Sequence, residues 1–228
     1  MKSIFILYLM TFVFCAWPQT PSGSLPSPLL NSSEDTVPTA FRDGRARRFN
    51  VRTPYSMLQP ATPGGPPPVT MLDFANQAEL PFAECDTVVV GEVVNAQPFL
   101  SADGKGLYTE FLLKITDAAK STAPIAAYTG QSVTLLRQGG AALAADHRVL
   151  QHHIRNDIKP LVGKQYIAFL VYAKGLEAFY YTKLWLIEDN VVKPLFPDDI
   201  AREKAGNSTS AGRPLPDVMT ALRSAIGR

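Results

Sequence analysis

The chain has 228 residues, 22 lysines and arginines against 20 aspartates and glutamates, three histidines and a formal charge of +2 at pH 7. From Met71 onward the count is 16 basic against 17 acidic residues, a charge of −1, so no basic excess exists to neutralise phosphates and nucleic acid is excluded as an expected partner. The two cysteines, Cys15 and Cys85, supply neither a disulfide framework nor a CxxC-type zinc motif.

Lys2 precedes an almost wholly apolar run, Ile4 to Ala16, which matches the n-region and h-region of a secretory signal. As a helix that run would be about 20 Å long at ~1.5 Å per residue, too short for a ~30 Å hydrocarbon core. Trp17-Pro18 ends it. Residues 1–16 are therefore expected to be a signal peptide, cut after Cys15 or Ala16. The protein is then secreted or periplasmic, with no membrane span after cleavage. Phe14 is too bulky for the position before a lipidated cysteine. Cleavage leaves Cys85 alone, and a lone cysteine beside a valine-rich strand is expected to be a small buried hydrophobe.

Residues 17–70 hold 11 of the 19 prolines and culminate in Gly64-Gly65-Pro66-Pro67-Pro68. Proline lacks an amide donor and fixes φ, so the stretch is expected to be a disordered linker or tether. Within it, Arg45-Ala46-Arg47-Arg48 fits a dibasic processing site, but a solvated charge run is the expectation.

Residues 71–228 are long enough for one domain with its own core. Thr70 is placed to cap a short helix over Met71 to Glu79. Thr87 to Val94 is β-branched almost throughout, and Gly91 inside it predicts a bulge or a sharp bend. Ser101 to Gly106 is a turn. Tyr108 to Asp117 alternates cleanly, Phe111, Leu113 and Ile115 against Glu110, Lys114 and Thr116, the pattern of a half-buried strand. Further strands are expected over Ser132 to Arg137, Arg148 to Ile154, Gln165 to Ala173 and Ala178 to Ile187, the last two forming a hairpin. Gln165 to Ala173 is apolar on both faces and so central. A polar loop follows Pro194 and Pro197 through Gly212. The last helix runs from Pro216 to Ile226, with Leu215, Val218, Met219, Leu222 and Ile226 on one side. A helix, five or six antiparallel strands and a helix make a mainly β fold, a small antiparallel barrel flanked by short helices.

Asp86-Thr87-Val88-Val89-Val90-Gly91-Glu92-Val93, then Leu107-Tyr108-Thr109 to Lys120, resembles the first two strands of netrin-like and OB-type extracellular barrels. Leu161-Val162-Gly163-Lys164-Gln165-Tyr166-Ile167-Ala168-Phe169-Leu170 is similar to the strand of those modules that a Gly-Lys turn introduces. The arrangement also looks like that of secreted bacterial proteins built on such a barrel. The resemblance covers about Asp86 to Ile187 and implies the fold alone. The disulfides typical of netrin-like domains are missing, and so is the N-terminal cysteine with which related metalloproteinase inhibitors chelate zinc.

Two clusters are candidates for chemistry. His147, His152 and His153, with Asp146 and Asp157, have the residue types of a zinc or copper site. Adjacent strand positions point to opposite faces, however, so exposed loop histidines are the expectation. The hairpin carries Tyr166, Phe169, Tyr172, Phe179, Tyr180, Tyr181 and Trp185, and OB-type barrels bind ligands on an aromatic sheet face. Tyr180, Tyr181 and Trp185 are the ligand-binding candidates. No nucleophile motif or P-loop is present, and Asp198-Asp199 suit a turn or a helix cap. The expected function is a non-catalytic exported binding or interaction module on a flexible tether, without cofactor, whose partner is an extracytoplasmic protein or glycan. The alternative is an exported metal-dependent enzyme centred on His147, His152 and His153.

Overall fold

The computed structural model describes residues 27–28, 39–50, 69–70, 84–125, 127–143, 149–154, 158–206, 208 and 210–227. The expected signal peptide, the proposed helix over 71–79 and His147 lie outside the described residues.

Six strands form the main sheet: β3 (Thr87–Leu100), β4 (Leu107–Ser121), β5 (Ser132–Gln138), β8 (Gln165–Ala173), β9 (Ala178–Glu188) and β10 (Val191–Pro194). Their order is β10-β9-β5-β4-β3-β8, and β8 pairs back onto β9, so five strands close into a ring. Every neighbouring pair is antiparallel except β5 and β9, which meet in parallel at Leu135–Phe179 and Leu136–Tyr180. This is the mainly β small barrel expected from the strand pattern, and its closed ring agrees with the OB-type barrel that the resemblance implied. β10 extends β9 beyond the point where β5 leaves it. Between β5 and β8 the chain makes a hairpin of β6 (Gly140–Leu143) and β7 (Val149–Ile154), flanked by the two-residue β1 (Ser27–Pro28) and β2 (Val69–Thr70).

Alternation sorts the strand residues into two cores. Val89, Val93, Phe111, Leu113, Ile115, Leu135, Ala168 and Leu170 belong to one buried cluster, the barrel interior. Val88, Val90, Ile167 and Phe169 belong to a second, covered by α3 (Leu215–Ile226) through Val218, Met219 and Leu222. β8 is therefore apolar on both faces because each face has a core to fill. Burying those three helix side chains contributes roughly 5–9 kcal/mol at ~1.5–3 kcal/mol each, an upper bound. Asp217 in the first turn of α3 and Arg223 in the last suit the helix dipole, and Arg223 also reaches Asp117 at 2.6 Å.

The register of β3 on β4 slips three times, once at Val90/Gly91. A Cβ at Gly91 would lie 2.7 Å from the Lys114 carbonyl oxygen and 2.9 Å from Leu113 Cγ. The bulge anticipated there is real, and glycine lets β4 cross close. A further slip separates Phe169 from Leu170 on β8, opposite Lys183 and Tyr181. It skips Thr182 and reverses the inside–outside parity of β9. Before it, Phe179 and Tyr181 belong to the interior; after it, Leu184 does, and Trp185 joins the α3 core.

The polar loop expected after Pro197 instead begins with α2 (Pro197–Lys204). Asp199 is buried in its first turn, 2.9 Å from Lys183 Nζ, and accepts from Trp185 Nε1 at 3.4 Å. Cys85 is 2% exposed in the α3 core, as expected of a small hydrophobe. No helix among the described residues is long and apolar enough to cross a membrane.

Candidate functional site

The proline-rich region contains a helix. α1 (Thr39–Arg48) lies against the outside of the barrel, between the β3–β4 turn and the β8–β9 turn. The solvated charge run expected at Arg45–Arg48 is thereby corrected: Arg47 and Arg48 are exposed, but Arg45 is 2% exposed. Each of its three guanidinium nitrogens donates to a fixed acceptor. Nη1 donates to Glu110 Oε2 at 2.9 Å, Nε to the Leu176 carbonyl at 2.8 Å and Nη2 to the Glu177 carbonyl at 2.9 Å. A planar fork of donors matches such a set in a way that a lysine ammonium cannot.

Glu110 heads the polar face that alternation predicts for β4, yet it is 8% exposed because α1 covers it. Its other oxygen accepts from Arg42, whose guanidinium also lies 3.8 Å from the centre of the Phe99 ring. One carboxylate therefore faces two guanidinium groups, and the aromatic ring supplies a further favourable surface for cation.

An aromatic cluster continues the slot that α1 fills between the two turns. Phe49, one residue past α1, stacks on Tyr108 with ring centres 4.8 Å apart and planes within 11°. It meets Tyr180 edge-on at 6.3 Å, and Phe99 also stacks on Tyr108 at 5.5 Å. Leu136, Ala173 and Ala178 complete this third core. Burial pushes the Tyr108 phenol up to about 12, aided by the Glu110 charge and opposed by Arg42 and Arg45. Backbone contacts fix the end of the segment: the Ala102 amide donates to the Ala46 carbonyl at 3.0 Å, and the Asp103 amide to Asn50 Oδ1 at 3.1 Å. The turn thus satisfies a carbonyl that the last turn of a helix leaves open.

Tyr180, Tyr181 and Trp185 do not form one face. Tyr180 is half-buried in the slot, where its hydroxyl accepts from Arg48 Nε at 3.3 Å. Tyr181 is inside the barrel, 1% exposed, with its hydroxyl donating to the Ile158 carbonyl at 3.0 Å. Trp185 is packed edge-on against Phe169 in the α3 core. Alternation puts Tyr180 and Tyr181 on opposite faces, and the residue skipped at Thr182 then turns Trp185 away from the interior that Tyr181 occupies.

Of the histidines, His152 and His153 are consecutive residues of β7. His152 is 4% exposed, so the expectation of an exposed loop histidine is corrected there. Among the described residues, no three histidine, cysteine, aspartate or glutamate side chains group to hold a metal ion.

The residues that meet at α1 and that sequence reasoning did not bring together are Arg42, Arg45, Phe49, Phe99, Tyr108 and Glu110. The signal on offer was a short basic cluster from Arg42 to Arg48 followed by Phe49 inside a proline-rich region, and nothing in it points to Glu110. No protein-family model and no curated protein matches the chain.

Proposed function

We propose that this chain is a non-catalytic, exported binding module, carried on its N-terminal region, whose outer barrel face takes a guanidinium-bearing protein segment. The observation that carries the reading is the burial of Arg45 on a carboxylate and two backbone carbonyls, contributed by strands and turns far from it in sequence. OB-type barrels engage ligands on this outer face, between the turns that follow their first and fourth strands. Here those turns are β3–β4 and β8–β9. A carboxylate with aromatic neighbours favours a cationic protein segment over a glycan, because the strongest contacts available are charge-assisted.

The test is a titration of the full chain carrying Arg45→Ala with L-argininamide, followed by backbone NMR. Shifts should concentrate at Tyr108, Glu110, Leu176 and Glu177, and lysinamide should produce smaller ones. Shifts scattered over the surface, or none, would refute the reading.

A further inference from the structure

We infer that α1 is a self-ligand, and that the barrel face recognises a helix with the anchors Arg-x-x-Arg-Ala-x-x-Phe, offered by a partner protein in exchange for the chain's own segment. The inference rests on the binding-module reading and names its ligand class.

The buried contacts of the segment come from Arg42, Arg45, Ala46 and Phe49. That spacing, i, i+3, i+4 and i+7, is the pattern of an amphipathic helix laid in a groove. Ala40, Asp43 and Arg47 are exposed, as is Arg48, which reaches the Tyr180 hydroxyl from the flank of the helix. Gly44 refines the motif. A Cβ there would sit 3.0 Å from Leu176 Cδ2, so the helix backbone rests against the β8–β9 turn and a larger residue would lift it.

The segment behaves energetically as a ligand rather than as a framework element. Ten residues are fewer than the ~12–15 that an isolated helix needs, and an interior glycine costs a further ~1 kcal/mol relative to alanine. Its helical form is therefore coupled to docking. The barrel, by contrast, closes through β3, β4, β5, β8 and β9 without contribution from α1. Withdrawal of the helix leaves that ring intact and exposes Phe99, Tyr108, Tyr180 and Glu110 together, a ready interface for a helix of the same spacing. Tethering gives the chain's own segment a high local concentration, so a partner must compete with it.

The experiment uses the full chain with protease sites inserted near residues 33 and 60, so that no contact residue is altered and the freed fragment carries α1 without β1. After cleavage, gel filtration separates that fragment, and a fluorescent peptide of residues 36–52 is titrated with anisotropy as readout. The cut protein should bind the peptide saturably, at least tenfold tighter than the uncut chain does. Peptides with Arg45→Ala, Phe49→Ala or Gly44→Val should lose at least tenfold. Loss of the near-ultraviolet spectrum on removal of the fragment would make α1 part of the framework and overturn the inference, as would a fragment that never exchanges. An Arg45→Ala peptide that binds equally well would also overturn it. A folded cut protein that answers to L-argininamide but not to the peptide would overturn the inference while leaving the binding-module reading in place. Response to neither would end both.

Discussion

Replacing Arg45 with alanine is the most informative perturbation of the site. The change removes three hydrogen bonds, at 2.9, 2.8 and 2.9 Å, from a side chain that is 2% exposed. Breaking a buried ion pair from one side costs about 3–5 kcal/mol, and each buried carbonyl left without its donor adds to that. Arg42 still faces Glu110, which places the loss near the lower figure, about 3 kcal/mol. A ceiling also applies. Once the penalty exceeds the docking free energy of α1, the segment releases and its partners rehydrate, so stability falls by no more than docking contributed. Urea unfolding measures the total, and hydrogen exchange at Ala46 and Phe49 reports release of the segment. Arg45→Lys should lose about half as much, because one ammonium cannot reach three fixed acceptors. A cycle with Glu110→Gln should give a coupling of at least about 1.5 kcal/mol. A loss under about 0.5 kcal/mol, the range of surface substitutions, with unchanged exchange in α1 would refute the argument.

Lys183→Met should strand the Asp199 carboxylate and cost about 3–5 kcal/mol, whereas Lys183→Met with Asp199→Leu should recover most of that loss; equal stability of the two variants in urea would contradict a buried pair. Gly91→Ala should drive a Cβ against the Lys114 carbonyl and cost roughly 2 kcal/mol, seen as a Tm lower by about 4–8 °C, and an unchanged melting curve would show that β4 does not cross there. Tyr108 releases its proton at about 12 when folded, against ~10 when unfolded. Its contribution is thus fully present below about pH 10 and is lost as pH rises toward 12, by at most roughly 2–3 kcal/mol. Tyr108→Phe should flatten that part of the stability profile, and parallel profiles for the two proteins would count against a buried phenol.

The positions of the five ring strands and of β7, the bulge at Gly91 and the C-terminal helix were legible because each leaves a local pattern, whereas β6 and β10 were not anticipated. Alternation over Tyr108 to Asp117 identifies β4, a two-faced apolar run marks β8 as central, and Leu215, Val218, Met219 and Leu222 trace one side of α3. Strand order was implied only as far as a small barrel. The parallel meeting of β5 and β9 depends on how the chain returns after the β6–β7 hairpin, which no local pattern encodes.

The slot itself belongs to tertiary structure. Sequence alone put Glu110 on the polar side of a strand and the arginines in a proline-rich region, and by composition both belong in water. Arg45 and Glu110 are 65 positions apart, and burial of each is tolerable only because the other neutralises it. Likewise alternation puts Tyr180 and Tyr181 on opposite faces, but only the ring decides that the first goes to the slot and the second to the interior, and the residue skipped at Thr182 turns Trp185 toward α3. Local propensity determines which segments become strands and helices, because it acts within a few residues. Which polar groups leave water is decided by the partners the fold delivers, and those come from anywhere in the chain.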